Sequence, residues 1–212
     1  TDGRTVGGRC AGVEIGKARQ ETLVNAGIED GEVRALSWRG SEMMGVSAQN
    51  NKLHVAIAVW HWGDYFADKM KGIAMTHAQW RRPDPATAPC EAKAAGLYMI
   101  CTLSKHAAEK DGFADALMLD WRGPVAEATG AHIFFPRDGA LHTPTPDCFL
   151  NGITRQTAIK LAKARQIEIV ERTIMPEELS TFSECFITGT AAEITPVRSI
   201  GEASYTPGNV TE

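Results

Sequence analysis

Cysteine is sparse, and what there is excludes two classes of protein. Cys10, Cys90, Cys101, Cys148 and Cys185 are odd in number, widely spaced and without a C-x-x-C pair, which argues against a disulfide framework and against a zinc site. A reducing compartment follows, and the cytoplasm is the expected location. No apolar run approaches the roughly 20 residues of a membrane-spanning helix, and no basic-then-apolar signal opens the chain. Charge of one sign is not clustered either: 22 basic and 26 acidic residues are mixed along the sequence for a net charge of −4. Nothing here would track a nucleic-acid backbone or an anionic membrane. His54, His61, His77, His106, His132 and His142 show no H-x-x-x-H spacing, so no metal is expected. No serine sits in a G-x-S-x-G context, which leaves no case for a hydrolase. Internal repeats and low-complexity segments are also missing.

What remains is a chain of 212 residues and 43% apolar content, enough for one full domain and part of another. The pattern predicts a helix over 13–26, with Ile15, Ala18, Leu23 and Val24 near one face, a turn over 27–31, and strands over 33–38 and 53–60. From Trp62 the sequence turns polar. Pro83, Pro85 and Pro89 make 81–89 a rigid, exposed connection. Beyond it, helices over 97–110 and 154–166 alternate with strands over 114–120, 132–136, 140–142, 167–172 and 182–188, a mixed α/β order. A domain border is expected near 62–71, dividing a unit of residues 1–61 from one of 72–212. The chain opens without an initiator Met and closes at Thr211-Glu212, and reads as a piece of a longer protein.

Four short segments carry chemistry. In EAKAAGLY (91–98), Lys93 sits among alanines and a glycine, a low-polarity setting that would lower an ammonium pKa and favour covalent bonding to a carbonyl; a solvated lysine at a helix start is the plainer alternative. In VAEATG (125–130), Glu127 lies in a turn of small residues that permits close backbone approach to a ligand, or is a turn glutamate in solvent. NGITR (151–155) leads into a helix, so Gly152, Ile153 and Thr154 offer amides at the positive end of its dipole, unless Thr154 is merely an N-cap. Gly189, Thr190 and Ala191, in TGTAAEITP (188–196), add hydroxyl and amide donors after a strand, though an ordinary turn looks similar. An amine, an acid for a ring nitrogen and two backbone cradles for a phosphate together look like a pyridoxal 5'-phosphate site. His132 follows Glu127 closely enough to support it, but a surface histidine at a strand start is the expectation.

In order and spacing these segments resemble the fold-type IV aminotransferases, in particular the branched-chain amino acid aminotransferases, over roughly residues 32–208. The resemblance implies a large domain built as a pseudo-barrel of mixed strands with packed helices, and a partial small α/β domain before it. It implies that Lys93 is the covalent anchor and proton carrier, that Tyr98 bonds the cofactor's phenolate oxygen, and that Glu127 contacts the pyridine nitrogen. Gly152, Ile153, Thr154, Gly189 and Thr190 would hold the phosphate, with the Thr190 and Ala191 amides near the substrate carboxylate. V-R-A at 33–35 and W-G-D-Y at 62–65 look like the family's arginine strand and interdomain loop. Arg34 would then receive the distal carboxylate of glutamate, and Trp62 and Tyr65 would wall an apolar pocket. The implied reaction moves an amino group between leucine, isoleucine or valine and 2-oxoglutarate, in a homodimer or larger assembly. D-amino acid and amine transaminases and aminodeoxychorismate lyases share the cofactor residues, and a noncatalytic fragment would retain them; the V-R-A and W-G-D-Y segments favour the branched-chain reading. The family's upstream phosphate-binding arginine would precede Thr1 and its terminal helix would follow Glu212. Glu32 stands where the family usually has a tyrosine, and a carboxylate there would repel a substrate carboxylate.

Overall fold

The computed structural model describes residues 9–63, 65–66, 69–208 and 211, and the chain divides into two units, Thr1–Gly63 and Asp64–Glu212. Asp64 of the W-G-D-Y segment lies outside the described residues, as do 67–68 of the expected border. In the first unit, helix α1 (Arg9–Ala26) packs against an antiparallel hairpin of β1 (Glu32–Arg39) and β2 (Leu53–Trp60), paired from Glu32↔Trp60 to Arg39↔Leu53. Of the apolar positions expected on the helix face, Ile15, Ala18 and Leu23 are half-buried and Val24 is exposed.

The second unit is a mixed sheet. Its strands are β3 (Ile73–His77), β4 (Asp115–Leu119), β5 (Val125–Ala128), β6 (His132–Arg137), β7 (Ala140–Pro144), β8 (Glu168–Arg172), β9 (Phe186–Gly189), β10 (Glu193–Ile200) and the short β11 (Ala203–Ser204). They run in the order β5-β4-β3-β10-β9-β6-β7-β8, with β11 on β10. β3 is parallel to β4 and to β10, β7 is parallel to β8, and the other pairs are antiparallel. The sheet curls, so that β5 at one end packs against β6 and β7. Helix α2 (Met99–Lys110) covers β4 through Cys101, Ser104 and Ala108, and α3 (Ile153–Ala164) covers β8 and β9 through Ile159 and Ala162. Both helices bury one stripe, as their spacing requires.

Strand β6 shows why its sequence is apolar without alternation. Ile133 and Phe135 enter one cluster with Met75, Leu117, Ile187 and Val197, while Phe134 points the other way, stacks on Phe186 at 5.1 Å and meets Leu141, Ile159 and Ala162. A strand covered on both faces needs no polar side.

Among the described residues, the three α-helices stop by the same device. The residue after the last turn adopts a left-handed φ, at Gly27 (64°), Gly112 (82°) and Gln166 (63°). Paired closing bonds follow each time: Gly27 N–H to Val24 O with Ile28 to Leu23, Gly112 to Glu109 with Phe113 to Ala108, and Gln166 to Lys163 with Ile167 to Ala162. This satisfies carbonyls that the helix itself leaves open.

Several elements depart from the sequence pattern. Residues 73–77, unassigned above, form β3 in the middle of the sheet, and 193–200 form β10 despite Pro196. Glu127 is inside β5, opposite Met118, and the turn comes after it, closed by Ala128 N–H to Ala131 O. The strand expected over 182–188 is confined to Phe186–Gly189, and 182–185 form an irregular link from the 3-10 helix Pro176–Thr181. The proline-rich connection over 81–89 is not wholly exposed: Arg82 is buried, and Pro83, Asp84 and Ala88 are half-buried.

Candidate active site

One cleft of ≈ 190 Å³ in the second unit gathers the chemistry-bearing segments, well above the roughly 10–15 Å³ that one buried water needs. Lys93, Tyr98, Glu127, Gly152, Ile153, Thr154, Gly189 and Thr190 all line it. They arrive from a loop, the start of α2, strand β5, the start of α3 and the β9–β10 turn. Residues separate in sequence become neighbours because the sheet curls β5 toward β6.

Glu127 is the electrostatic centre. Its carboxylate is nearly buried and sits between two cations or potential cations, with Arg82 Nε 3.4 Å from Oε1 and His132 Nδ1 3.3 Å from Oε2. Neither contact is a well-aligned hydrogen bond, and both nitrogens are buried with no other partner. Arg82 is held from its other end by Leu97 O at 3.4 Å and Cys101 Sγ at 3.3 Å. Burial pushes the Cys101 thiol up, against the pull of Arg82. Below the turn after Glu127, the Thr129 hydroxyl donates to Asp115, whose own pKa is raised by burial, against the pull of Lys105 and of that hydrogen bond. The acid is therefore held by residues that themselves line the cleft.

The start of α3 provides the opposite pole. Its N-cap is Gly152, no side chain caps it, and its first backbone bond is Gln156 N–H to Gly152 O. The amides of Ile153 and Thr154 have no carbonyl within the helix to bond, and they carry the positive end of the dipole. Thr154 is thus inside the helix and is not its N-cap. Gly189, also in the cleft lining, packs on the turn after β5, where a Cβ would come to 3.3 Å from Gly130 O.

Lys93 departs from expectation. It lines the cleft but is exposed, just before the 3-10 turn Ala95–Tyr98 and not within a helix start, and its small neighbours give it no apolar cover. The low-polarity setting read from its alanines is absent because Ala92 and Ala94 turn half inward while Lys93 turns out. Ala191 is not part of the lining. Tyr65 is also outside the lining; it packs edge-on against Phe66 at 4.7 Å, under Lys105 Nζ at 5.4 Å. In the first unit, Arg34 lies over the Trp60 ring at 5.7 Å and the Trp62 ring at 6.0 Å.

The two lining residues whose nitrogens face Glu127 were not assigned to the site from sequence. Arg82 sits next to Arg81 with nothing in the pattern to separate them. His132, expected at the surface, is buried instead; its signal was its closeness to Glu127. Elsewhere, Asp120, Asp147 and Cys148 bring potential ligand atoms within 4.8 Å of one another. Arg122 already bridges the two acids at 2.6 and 2.7 Å, and burial pushes Cys148 up to about 12, with Asp147 adding to it. That group is a closed ion-pair network.

A model of the family described as amino-transferase class IV matches residues 9–200. A probable branched-chain-amino-acid aminotransferase of Rickettsia conorii is 38% identical over 189 residues, covering 88% of this chain and 64% of that protein. Among solved structures, the branched-chain aminotransferase of Thermoproteus uzoniensis with norvaline matches with a TM-score of 0.89 at 34% identity, over 93% of this chain and 67% of that one. The branched-chain amino acid aminotransferase of Thermobaculum terrenum, in its PLP-bound holo form, matches with a TM-score of 0.83 at 27% identity, over 93% of this chain and 66% of that one. The chain spans about 64% of the length of the curated relatives it matches. The curled mixed sheet with its covering helices is the fold-type IV architecture of those structures, and the chain belongs to the class IV aminotransferases.

Proposed function

We propose that the chain is part of a pyridoxal 5'-phosphate-dependent transaminase that moves the amino group between leucine, isoleucine or valine and 2-oxoglutarate. The observation that carries this is the meeting of the Lys93 amine, the Glu127 carboxylate and the uncapped amides of α3 on one cleft. These groups fit a flat heterocycle with an anionic tail: an acid stabilised by two nitrogen partners at one end, free N–H donors on a helix dipole at the other. When bound, the cofactor supplies a ring that withdraws the electrons left by a departing Cα proton.

Each residue then has a defined task. Lys93 is the covalent anchor and, once free, the base that carries the proton, a role suited to an exposed amine on a long, flexible side chain. Glu127 keeps the ring nitrogen protonated. Tyr98 donates its hydroxyl to the ring's phenolate oxygen. Gly152, Ile153, Thr154, Gly189 and Thr190 seat the phosphate, and the Thr190 and Ala191 amides receive the substrate carboxylate. Arg34 binds the distal carboxylate of glutamate, and Trp62 and Tyr65 form the apolar wall. In this reading 1–61 is the later part of a small domain, 62–71 the interdomain loop and 72–212 the cofactor domain, in a cytoplasmic homodimer or larger assembly.

Borohydride reduction after addition of pyridoxal phosphate tests the cofactor, with a single adduct expected on Lys93 by peptide mass spectrometry. An adduct on another lysine, or none, overturns the reading. A donor screen with 2-oxoglutarate tests the substrate: leucine, isoleucine and valine should exceed D-alanine and simple amines.

A further inference from the structure

Gly152 is required by a contact and not by its dihedral angles. Its φ of −63° and ψ of 150° suit any residue, yet a Cβ there would stand 2.3 Å from His132 Nε2 and 3.0 Å from its Cδ2. The imidazole cannot step aside cheaply. It is buried, its ring lies 5.8 Å from that of Phe149 at 36°, and its Nδ1 is 3.3 Å from Glu127 Oε2. Nδ1 has no other partner, and a nitrogen facing a carboxylate is the one that carries the proton. A single rigid ring therefore faces the acid with one nitrogen and the N-cap glycine of α3 with the other.

We propose that His132 is a positioning residue that sets the separation between Glu127 and the N-terminus of α3, and so between the ring-nitrogen and phosphate ends of the cofactor site. This rests on the cofactor reading above. The two ends bind one inflexible molecule, so a shift of either by a few tenths of an ångström misplaces it. An imidazole fits the task because its two nitrogens stand at a fixed distance. Phe149 fixes the plane of that ring, and glycine at 152 allows the closest approach of the helix to it. Asparagine at 132 would keep a donor near the Nδ1 position but lose the far edge of the ring, opening room for a methyl group at 152.

A double-mutant cycle tests the coupling. The probe is pyridoxal 5'-phosphate binding to the full chain, followed by fluorescence quenching, with pyridoxal, which lacks the phosphate, run beside it. Gly152→Ala should weaken pyridoxal phosphate binding by about tenfold or more in the otherwise native chain, and by less than about twofold when His132→Asn is present. Pyridoxal, engaging only the Glu127 end, should show little effect of Gly152→Ala. Should Gly152→Ala alone fail to fold, refolding restored by His132→Asn is the same coupling read by melting, and a double variant that stays unfolded overturns the proposal. Equal losses in both backgrounds, or no loss in the native one, also overturn it. A native chain that does not bind pyridoxal phosphate overturns the cofactor reading and this inference with it, whereas native binding without coupling overturns this inference alone.

Discussion

Arg82 Nε lies 3.4 Å from Glu127 Oε1, and both side chains are almost completely shielded from solvent. A buried ion pair of this kind is costly to break from one side, because the remaining charge stays desolvated. Arg82→Met should therefore destabilise the chain by about 3–5 kcal/mol, measured by urea denaturation. Adding Glu127→Gln should recover a large part of that loss, since a neutral amide no longer needs the cation. If the two losses simply add, Arg82 acts through its bonds to Leu97 and Cys101 alone.

Lys93 makes the opposite case. It is exposed, and surface substitutions of this type usually change stability by less than about 0.5 kcal/mol. Lys93→Ala should thus melt with the native chain while losing the borohydride-trapped adduct completely. A large drop in melting temperature would mean that the lysine is structural.

How legible was this arrangement in the sequence? Strand β2 was readable to its ends, as a run apolar at every position but His54, and the candidate residues named from the sequence were readable because each lies in a short contiguous segment with its own chemistry. What the sequence hid were decisions made by distant partners. β3 is only five residues, and its place between β4 and β10 is set by strands far along the chain. Pro196 argues against a central strand, but β10 pairs with β9 through Pro196 and with β3 from Val197 onward, so the proline falls where the strand changes neighbours. Arg82 and His132 escaped for the same reason. Their roles come from facing Glu127, and no local spacing records that.

Gln166 ends α3 at a φ of 63°, a conformation that Gly27 and Gly112 adopt for the other two helices. A side chain in that region costs roughly 1 kcal/mol that glycine avoids, and Gln166 is exposed, so little contact is lost by removing it. Gln166→Gly should stabilise the chain by about 0.5–1 kcal/mol, after allowing for the greater freedom of glycine in the unfolded state. A lower midpoint in urea would show that the glutamine side chain contributes more than its backbone strain removes.

Acid should loosen the outer end of the sheet, where Arg172 joins two titrating groups. Its Nε donates to His142 Nδ1 at 3.1 Å, and its terminal nitrogens hold Glu178 at 3.1 and 2.8 Å. Burial, then the charges of Arg172 and Arg137, keep His142 below its ordinary 6.5. The unfolded chain therefore takes up that proton first as pH falls, and stability is lost from about 6.5 down to the lowered folded value. Glu178 is held below 4.5 chiefly by the hydrogen bonds from Arg172. Its contribution is present above that ordinary value and disappears as pH falls through the lowered one, so the two groups act in the same direction in successive windows. Melting temperatures should drop between about pH 7.5 and about pH 5.5, and the drop should be smaller in His142→Gln, whose amide oxygen accepts from Arg172 at either pH. Equal slopes in the two chains would remove His142 as the source, leaving the acid sensitivity to other groups.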